Sequence, residues 1–527
     1  MTTLELVFIP SPGAGHLPPT VELAKLLLDH DQRLSVTIII MNLPFEAEQV
    51  TETPISTPRL NFIYVANEDS SKDLISPHTF MSAFLEHQKP KLKNIIRDIT
   101  ESDSVRLVGF IVDMFCIAMI DVANEFGVPT YVYFTSSASA LGLMFHLQAK
   151  CDDEEYDVTD LKDSDLMLSI PSYVKPIPAK LLPSVLFDKQ GGSKMFIDLA
   201  KKFRESEGII INSFQELESH GLEFLIKGDP NIPPVFPVGP ILNLKNTKND
   251  GKTTDIMAWL DNQPKSSVVF LCFGSMGSFG EKQVKEIAVA LERSEHRFLW
   301  SLRRPPSKEV MRLPEEYENF KEVLPEGFLE CTSNLGKVIG WAPQTSVLSH
   351  PSLGGFVSHC GWNSTLESIW FGVPVAAWPL YAEQQINAFQ LVMELGIAAE
   401  IKIDYKSNIG PGGGSNEMLV KADEIESGIR RLMNDDDMRR NVKEMKHMSR
   451  LTVTEGGSSY ASIKRFIELV ITNTPWTLCR EIVIMDQLVV GIDFSLVAER
   501  YMHDGMYRLR LAEELGCEGV IKINNES

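Results

Sequence analysis

Short, almost unbroken runs of Val, Ile, Leu and Phe punctuate this chain, and a segment of helical length follows nearly every one. In the first half they are LELVFIP (4–10), SVTIIIM (35–41), VRLVGFIVD (105–113), TYVYFT (130–135) and GIIINS (208–213). Such continuous runs mark strands buried on both faces. Strands of this kind separated by helices predict a parallel sheet with helices on both sides. PPTVELAKLLLDH, after the first run, opens with prolines suited to a first helical turn. The pattern breaks at NLKNTKNDGKTTD (243–255), which is polar and aperiodic, and reads as a linker. It then resumes in SVVFLCFGS (267–275), RFLWSLR (297–303), KVIGWAP (337–343), LGGFVSH (353–359) and VPVAAWP (373–379). Two βαβ domains, a linker and a cleft between the domains follow. IGPGGGSNEM (409–418) reads as a flexible loop.

A chain of 527 residues is too long for one ordinary core and fits two domains of roughly 200–250 residues. The formal charge of −21 argues against a nucleic-acid partner, which needs a basic face. The seven cysteines are scattered, odd in number and without a C-x-x-C pair, so they read as reduced thiols of a cytoplasmic protein. The N-terminus lacks a basic region, and Pro10 and Pro12 break its apolar run, so it does not read as a signal peptide. No stretch reaches the roughly 18–20 apolar residues that span a bilayer.

The densest chemistry lies in FVSHCGWNSTLE, Phe356 to Glu367. If LGGFVSH is a strand and NSTLESIWF a helix, these polar groups gather at a helix N-terminus. Free backbone N–H groups and the helix dipole favour an anion there. Gly361 permits close approach, and His359, Asn363 and Ser364 add side-chain donors. Glu367 falls four residues after Asn363, on the same helical face, where it can accept both hydroxyls of a ribose. The corner suits a nucleoside diphosphate. The plainer alternative is that Asn363 and Ser364 only cap the helix.

Trp341 to Gln384, WAPQTSVLSHPSLGGFVSHCGWNSTLESIWFGVPVAAWPLYAEQ, resembles end to end the 44-residue signature of plant family-1 UDP-dependent glycosyltransferases. The resemblance extends more loosely over residues 5–473. It implies a GT-B fold, α/β with two facing Rossmann-like domains and an interdomain cleft. An acceptor-binding domain would span 1–240, a linker 241–254, and a UDP-sugar-binding domain 255–455. A helix over 456–474, SSYASIKRFIELVI at its centre, would cross back to the first domain. Residues 475–527 match nothing in the family and are expected to pack weakly.

The same resemblance implies roles for individual residues. Trp341 would stack on uracil and the backbone of Ala342 would bind the base edge. Gln344 and Glu367 would hold the ribose. His359, Asn363, Ser364 and Ser275 would contact the phosphates. Trp362, Glu383 and Gln384 would contact the sugar, as would Thr135. A glutamine at the last position goes with glucose, with other UDP-sugars left open. No metal or cofactor is implied, the UDP-sugar being a co-substrate, and a monomer is expected.

His16 follows the first strand and Asp113 ends VRLVGFIVD, both at strand C-terminal ends, where ligands of such sheets bind. A carboxylate beside His16 would fix its tautomer and stabilise its imidazolium. A helix N-terminus is expected to keep His16 neutral and available as a base. The family uses a His–Asp pair at these positions. The reaction expected is inverting single displacement, with the acceptor oxygen attacking the anomeric carbon as UDP leaves. Phe80, Phe84, Met114, Phe115 and Met144 are candidates to line an apolar acceptor pocket for flavonoids, other phenolics or terpenoids. They are equally candidates for core.

Other readings fare worse. Gly13-Ala14-Gly15-His16-Leu17-Pro18 lacks the third glycine of a dinucleotide fingerprint, and the second strand ends at Asn42 rather than an acidic residue. His350, His359 and Cys360 form no recognised metal spacing, and no G-x-S-x-G occurs. A non-catalytic nucleotide-sugar binder is the alternative of another class, but His16 and Asp113 are both present.

Overall fold

The computed structural model describes residues 3–13, 15–43, 56–65, 77–101, 105–153, 156–244, 251–306, 313–407 and 418–473. The expected flexible loop, apart from Met418, and the expected tail from 475 lie outside them, as does the side chain of Phe80.

The first sheet contains β1 (Thr3–Ile9), β2 (Leu34–Ile40), β3 (Leu60–Tyr64), β4 (Val105–Asp113) and β5 (Thr130–Phe134). After a small antiparallel ribbon, β6 (Met167–Leu168) with β7 (Ile177–Pro178), come β8 (Gly208–Ile211) and β9 (Val235–Pro237). The order is β3-β2-β1-β4-β5-β8-β9, with every neighbouring pair parallel. Val7 and Ile9 enter the core on one face, Leu6 and Phe8 the core on the other. Both faces are thus covered, which is why the run LVFI shows no polar alternation.

The second sheet repeats the plan. Its strands are β10 (Val268–Cys272), β11 (Arg297–Ser301), β14 (Gly336–Ile339), β15 (Leu353–Ser358), β16 (Val375–Ala377) and β17 (Ala398–Glu400), with a short ribbon of β12 (Arg303–Arg304) and β13 (Glu315–Glu316). The order is β14-β11-β10-β15-β16-β17, again parallel. Val269 and Leu271 face one core, Val268 and Phe270 the other. In each sheet the strand order reverses once, between β1 and β4 and between β10 and β15. Such a reversal opens a crevice beyond the strand C-terminal ends.

Gly251–Asp261 is a helix, although its first turn falls within the polar stretch read as linker. Thr253, Ile256 and Leu260 form its buried stripe, and its polar opening suits an exposed first turn. The helix Ser458–Asn473 returns to the first sheet. Ile463, Phe466, Ile467 and Val470 pack there with Leu6, Phe8 and Ile38. Phe466 meets Tyr131 edge-on at 5.1 Å, and the Ser459 hydroxyl donates to the Gly239 carbonyl at 2.6 Å.

Candidate active site

His16 and Asp113 meet at the first crevice because β1 and β4 are paired neighbours, with Ile9 opposite Val112. His16 Nδ1 lies 2.8 Å from Asp113 Oδ2. Asp113 is buried, and its other oxygen accepts the Phe115 N–H at 3.1 Å. The His16 side chain keeps about a quarter of its surface exposed, so one ring edge faces the cleft. Burial works against the imidazolium, but the charge and hydrogen bond of Asp113, joined by the charge of Glu383, outweigh it. The imidazole is therefore raised above its ordinary value, and Asp113 rather than the helix N-terminus is the charge that acts on it most. The helix Leu17–His30 carries Pro18 and Pro19 in its first turn, so two N–H donors that would repel a cation are missing. Thr135, expected at the sugar, places its hydroxyl 3.5 Å from His16 Nδ1.

The second crevice carries the polar corner. β15 ends at Ser358 and the helix Trp362–Phe371 starts after Gly361. Gly361 is the cap and makes no side-chain bond, so Asn363 and Ser364 do not cap this helix. Between strand and helix sits Cys360 at φ 60°, a left-handed backbone rare outside glycine. Strain of this kind collects at functional sites. His359 is buried between two glycines, for a Cβ on Gly274 or on Gly361 would fall 2.5 Å from its Nε2. Its Nδ1 is buried without a hydrogen-bond partner among the described residues. Burial, then the nearby Arg303 guanidinium, push the imidazole down to about 4, so it is neutral and offers one N–H. Ser275 is exposed on the turn after β10, beside Gly274 at φ 74°. Asn363 Nδ2 donates to the Gly15 carbonyl at 3.3 Å, one residue before His16.

One helical turn further, Gln344 Nε2 donates to Ser364 Oγ at 2.8 Å and to Glu367 Oε2 at 2.7 Å. Ser364 therefore keeps its own O–H for an anion. Burial pushes the Glu367 carboxyl up to about 7, against hydrogen bonds from Gln344 and Thr345 that lower it. Trp341 stands 46% exposed, whereas its neighbour Ala342 is buried. A large aromatic face left in solvent, three residues before Gln344, fits a flat base.

At the far end, Gln384 is buried and its Oε1 accepts the N–H groups of Leu380 and Tyr381 at 2.9 and 3.1 Å. Glu383 accepts the Ser136 hydroxyl at 3.1 Å. Trp362 does not reach this end through its indole, whose N–H donates to the Asn212 carbonyl at 2.7 Å. Its backbone N–H, in the first helical turn, is the group left for a ligand.

Three contributors went unnoticed in the sequence. Arg303 follows β11 and donates through Nη2 to the carbonyls of Gly274 and Gly277, holding the glycine turn. Glu316 accepts the Trp341 N–H at 3.0 Å. Ser136 holds Glu383. Arg303 carried one legible signal, a cation at a strand C-terminal end. The other two depend on contacts between distant segments.

Residues 212–449 match the UDP-glucoronosyl and UDP-glucosyl transferase family. UDP-glycosyltransferase 71E1 of Stevia rebaudiana is 67% identical over 470 residues, covering 89% of this chain and 98% of that protein. UDP-glucose flavonoid 3-O-glucosyltransferase 6 of Fragaria ananassa is 50% identical, covering 89% and 99%. The crystal structure of UGT71G1 of Medicago truncatula, complexed with UDP-glucose, superposes with a TM-score of 0.77 at 40% identity, covering 89% and 98%. The chain belongs to the plant family-1 UDP-glycosyltransferases, and its two parallel sheets form their GT-B fold. It is a glycosyltransferase that uses a UDP-sugar.

Proposed function

We propose that the protein transfers glucose from UDP-glucose to a hydroxyl of a small lipophilic acceptor, a flavonoid, another phenolic or a terpenoid, and forms a β-glycoside by inverting single displacement. One observation carries this reading: the His16–Asp113 pair and the anion corner meet across the cleft, linked by Asn363 to Gly15 at 3.3 Å. The names of the Stevia, Fragaria and Medicago proteins support the donor and the acceptor class.

In this mechanism Trp341 stacks on uracil, the Ala342 backbone holds its edge, and Gln344 with Glu367 holds the ribose. His359, Asn363, Ser364 and Ser275 bind the diphosphate. Glu383, Gln384, Thr135 and the Trp362 backbone orient the glucose. His16 takes the acceptor proton as the oxygen attacks C1, and Asp113 stabilises the imidazolium. Charge developing on UDP is met by Ser364, the neutral His359 N–H and the helix N-terminus. The first half, residues 1–240, receives the acceptor, and residues 255–455 receive the donor. Among the described residues no group of three or more His, Cys, Asp or Glu could hold a metal, and no helix is long and apolar enough to cross a membrane. The enzyme is proposed to act in the cytoplasm as a monomer, with no metal.

The test is acceptor-dependent UDP release from UDP-glucose with flavonols and simple phenols, alongside His16→Ala. Release that persists in the variant overturns the mechanism. Release only with another UDP-sugar overturns the donor.

A further inference from the structure

The chain passes from the base to the sugar end in five residues, Thr135 to Ser139, and this short stretch does more than connect β5 to the next helix. Ser136, Ser137 and Ser139 are all buried, and each makes a hydrogen bond to the other half of the molecule. The Ser136 hydroxyl donates to Glu383 Oε1 at 3.1 Å. That of Ser137 donates to Asn387 Oδ1 at 3.2 Å. Ser139 Oγ accepts from Gln390 Nε2 at 3.0 Å. The partners fall at i, i+4 and i+7, one face of a helix. That face begins at Glu383, cap of the helix Gln384–Phe389, and continues into a π-helical turn, Gln390–Glu394. Wider turns of this kind are frequent at functional sites.

Both sides of the seam are braced. Behind the serines, the buried Glu218 accepts the N–H groups of Ala138 and Ser139 at 2.8 and 3.0 Å and also reaches Gln390 at 3.3 Å. On the other side, Asn387 Nδ2 donates to the carbonyl of Cys360, the left-handed residue of the anion corner, at 3.1 Å. One thread therefore ends at the carboxylate proposed for the sugar and a second at the phosphate corner, while Thr135 touches His16.

We propose that Ser136 is a positioning residue for the donor sugar: its hydroxyl fixes one oxygen of Glu383 so that the other faces the glucose, with Ser137 and Ser139 holding the two halves in register. This rests on the role given above to Glu383. A serine suits the task because it donates to a carboxylate from a short stem with a single side-chain torsion to fix, and the chain that carries it comes from the acceptor side. The sugar is thus aligned by the same segment that flanks the base.

The experiment compares wild type, Ser136→Ala and Ser136→Thr, with Ser136→Ala also made on a Glu383→Gln background. For each, kcat and KM for UDP-glucose, the dissociation constant of UDP and the melting temperature are measured. Loss of a hydrogen bond to a charged group is expected to raise KM for UDP-glucose roughly tenfold in Ser136→Ala. UDP affinity and melting temperature stay at wild-type values, because UDP lacks the sugar. Threonine, which keeps the hydroxyl, restores KM. On the Glu383→Gln background the alanine adds much less than it does alone. An unchanged KM, or a KM and UDP affinity that weaken together, overturns the proposal. So does full additivity with Glu383→Gln. If wild type does not turn over UDP-glucose, the donor assignment fails separately, and the same comparison is made with the UDP-sugar it does use.

Discussion

Two side chains of the site are raised for different reasons, His16 by neighbouring charge and Glu367 by burial. His16 accepts a proton only when neutral, so kcat/KM should rise with pH through its value, which Asp113 and Glu383 lift against burial. Asp113→Asn removes the main lifting charge. The rising limb is expected to move to lower pH while the plateau falls by about 100-fold or more. A pH–rate profile checks both, and a limb that stays in place would count against the pairing. His16→Ala should lose transfer to a similar extent while calorimetry still finds UDP bound. Glu367 gives a second pH signature. It accepts both ribose hydroxyls most strongly when ionised, and burial has raised it to about 7. UDP affinity should therefore weaken as pH falls through that value, and Glu367→Gln should flatten the dependence.

At the scale of elements, the glycine turn after β10 and the β15 corner act as a pair of jaws on one imidazole. Gly274→Ala places a Cβ 2.5 Å from His359 Nε2 and puts a side chain at φ 74°. The backbone strain alone should cost about 1–2 kcal/mol, read as a lower melting temperature, and displacement of His359 should weaken UDP binding. These same elements were plain in the sequence. VRLVGFIVD is β4 to the residue, and LGGFVSH is β15 with its terminal histidine. Central strands declare themselves because they are buried on both faces. β3, β9 and β17 were missed because each is an edge. β3 is only partly buried, β9 is three residues ending in proline, and β17 is Ala-Ala-Glu, without a branched or aromatic residue. The site divides in the same way. His16, Asp113 and the Trp341–Gln384 stretch were legible because their residues sit in motifs. Ser136 and the fate of the Trp362 indole were not, since each depends on contacts across more than a hundred residues of chain that periodicity does not encode.

At the scale of the whole molecule, the returning helix Ser458–Asn473 is what makes the order of the chain differ from the order of its cores. Its apolar face completes the first sheet, so Phe466→Ala should cost about 3–5 kcal/mol and lower the melting temperature of the half that holds His16. Removal of residues 475–527 is expected to leave turnover and melting temperature as they were, because every side chain given a catalytic, binding or positioning role lies between His16 and Gln390, and the helix that completes the first sheet ends at Asn473. Trp341 adds a practical consequence. Among the described tryptophans it alone is exposed, while Trp300, Trp362 and Trp378 are buried. Its emission is therefore the one most open to quenching by a stacked base. The enzyme carries its own optical reporter, and a stopped-flow trace without any label would time the arrival of the nucleotide separately from the transfer that follows.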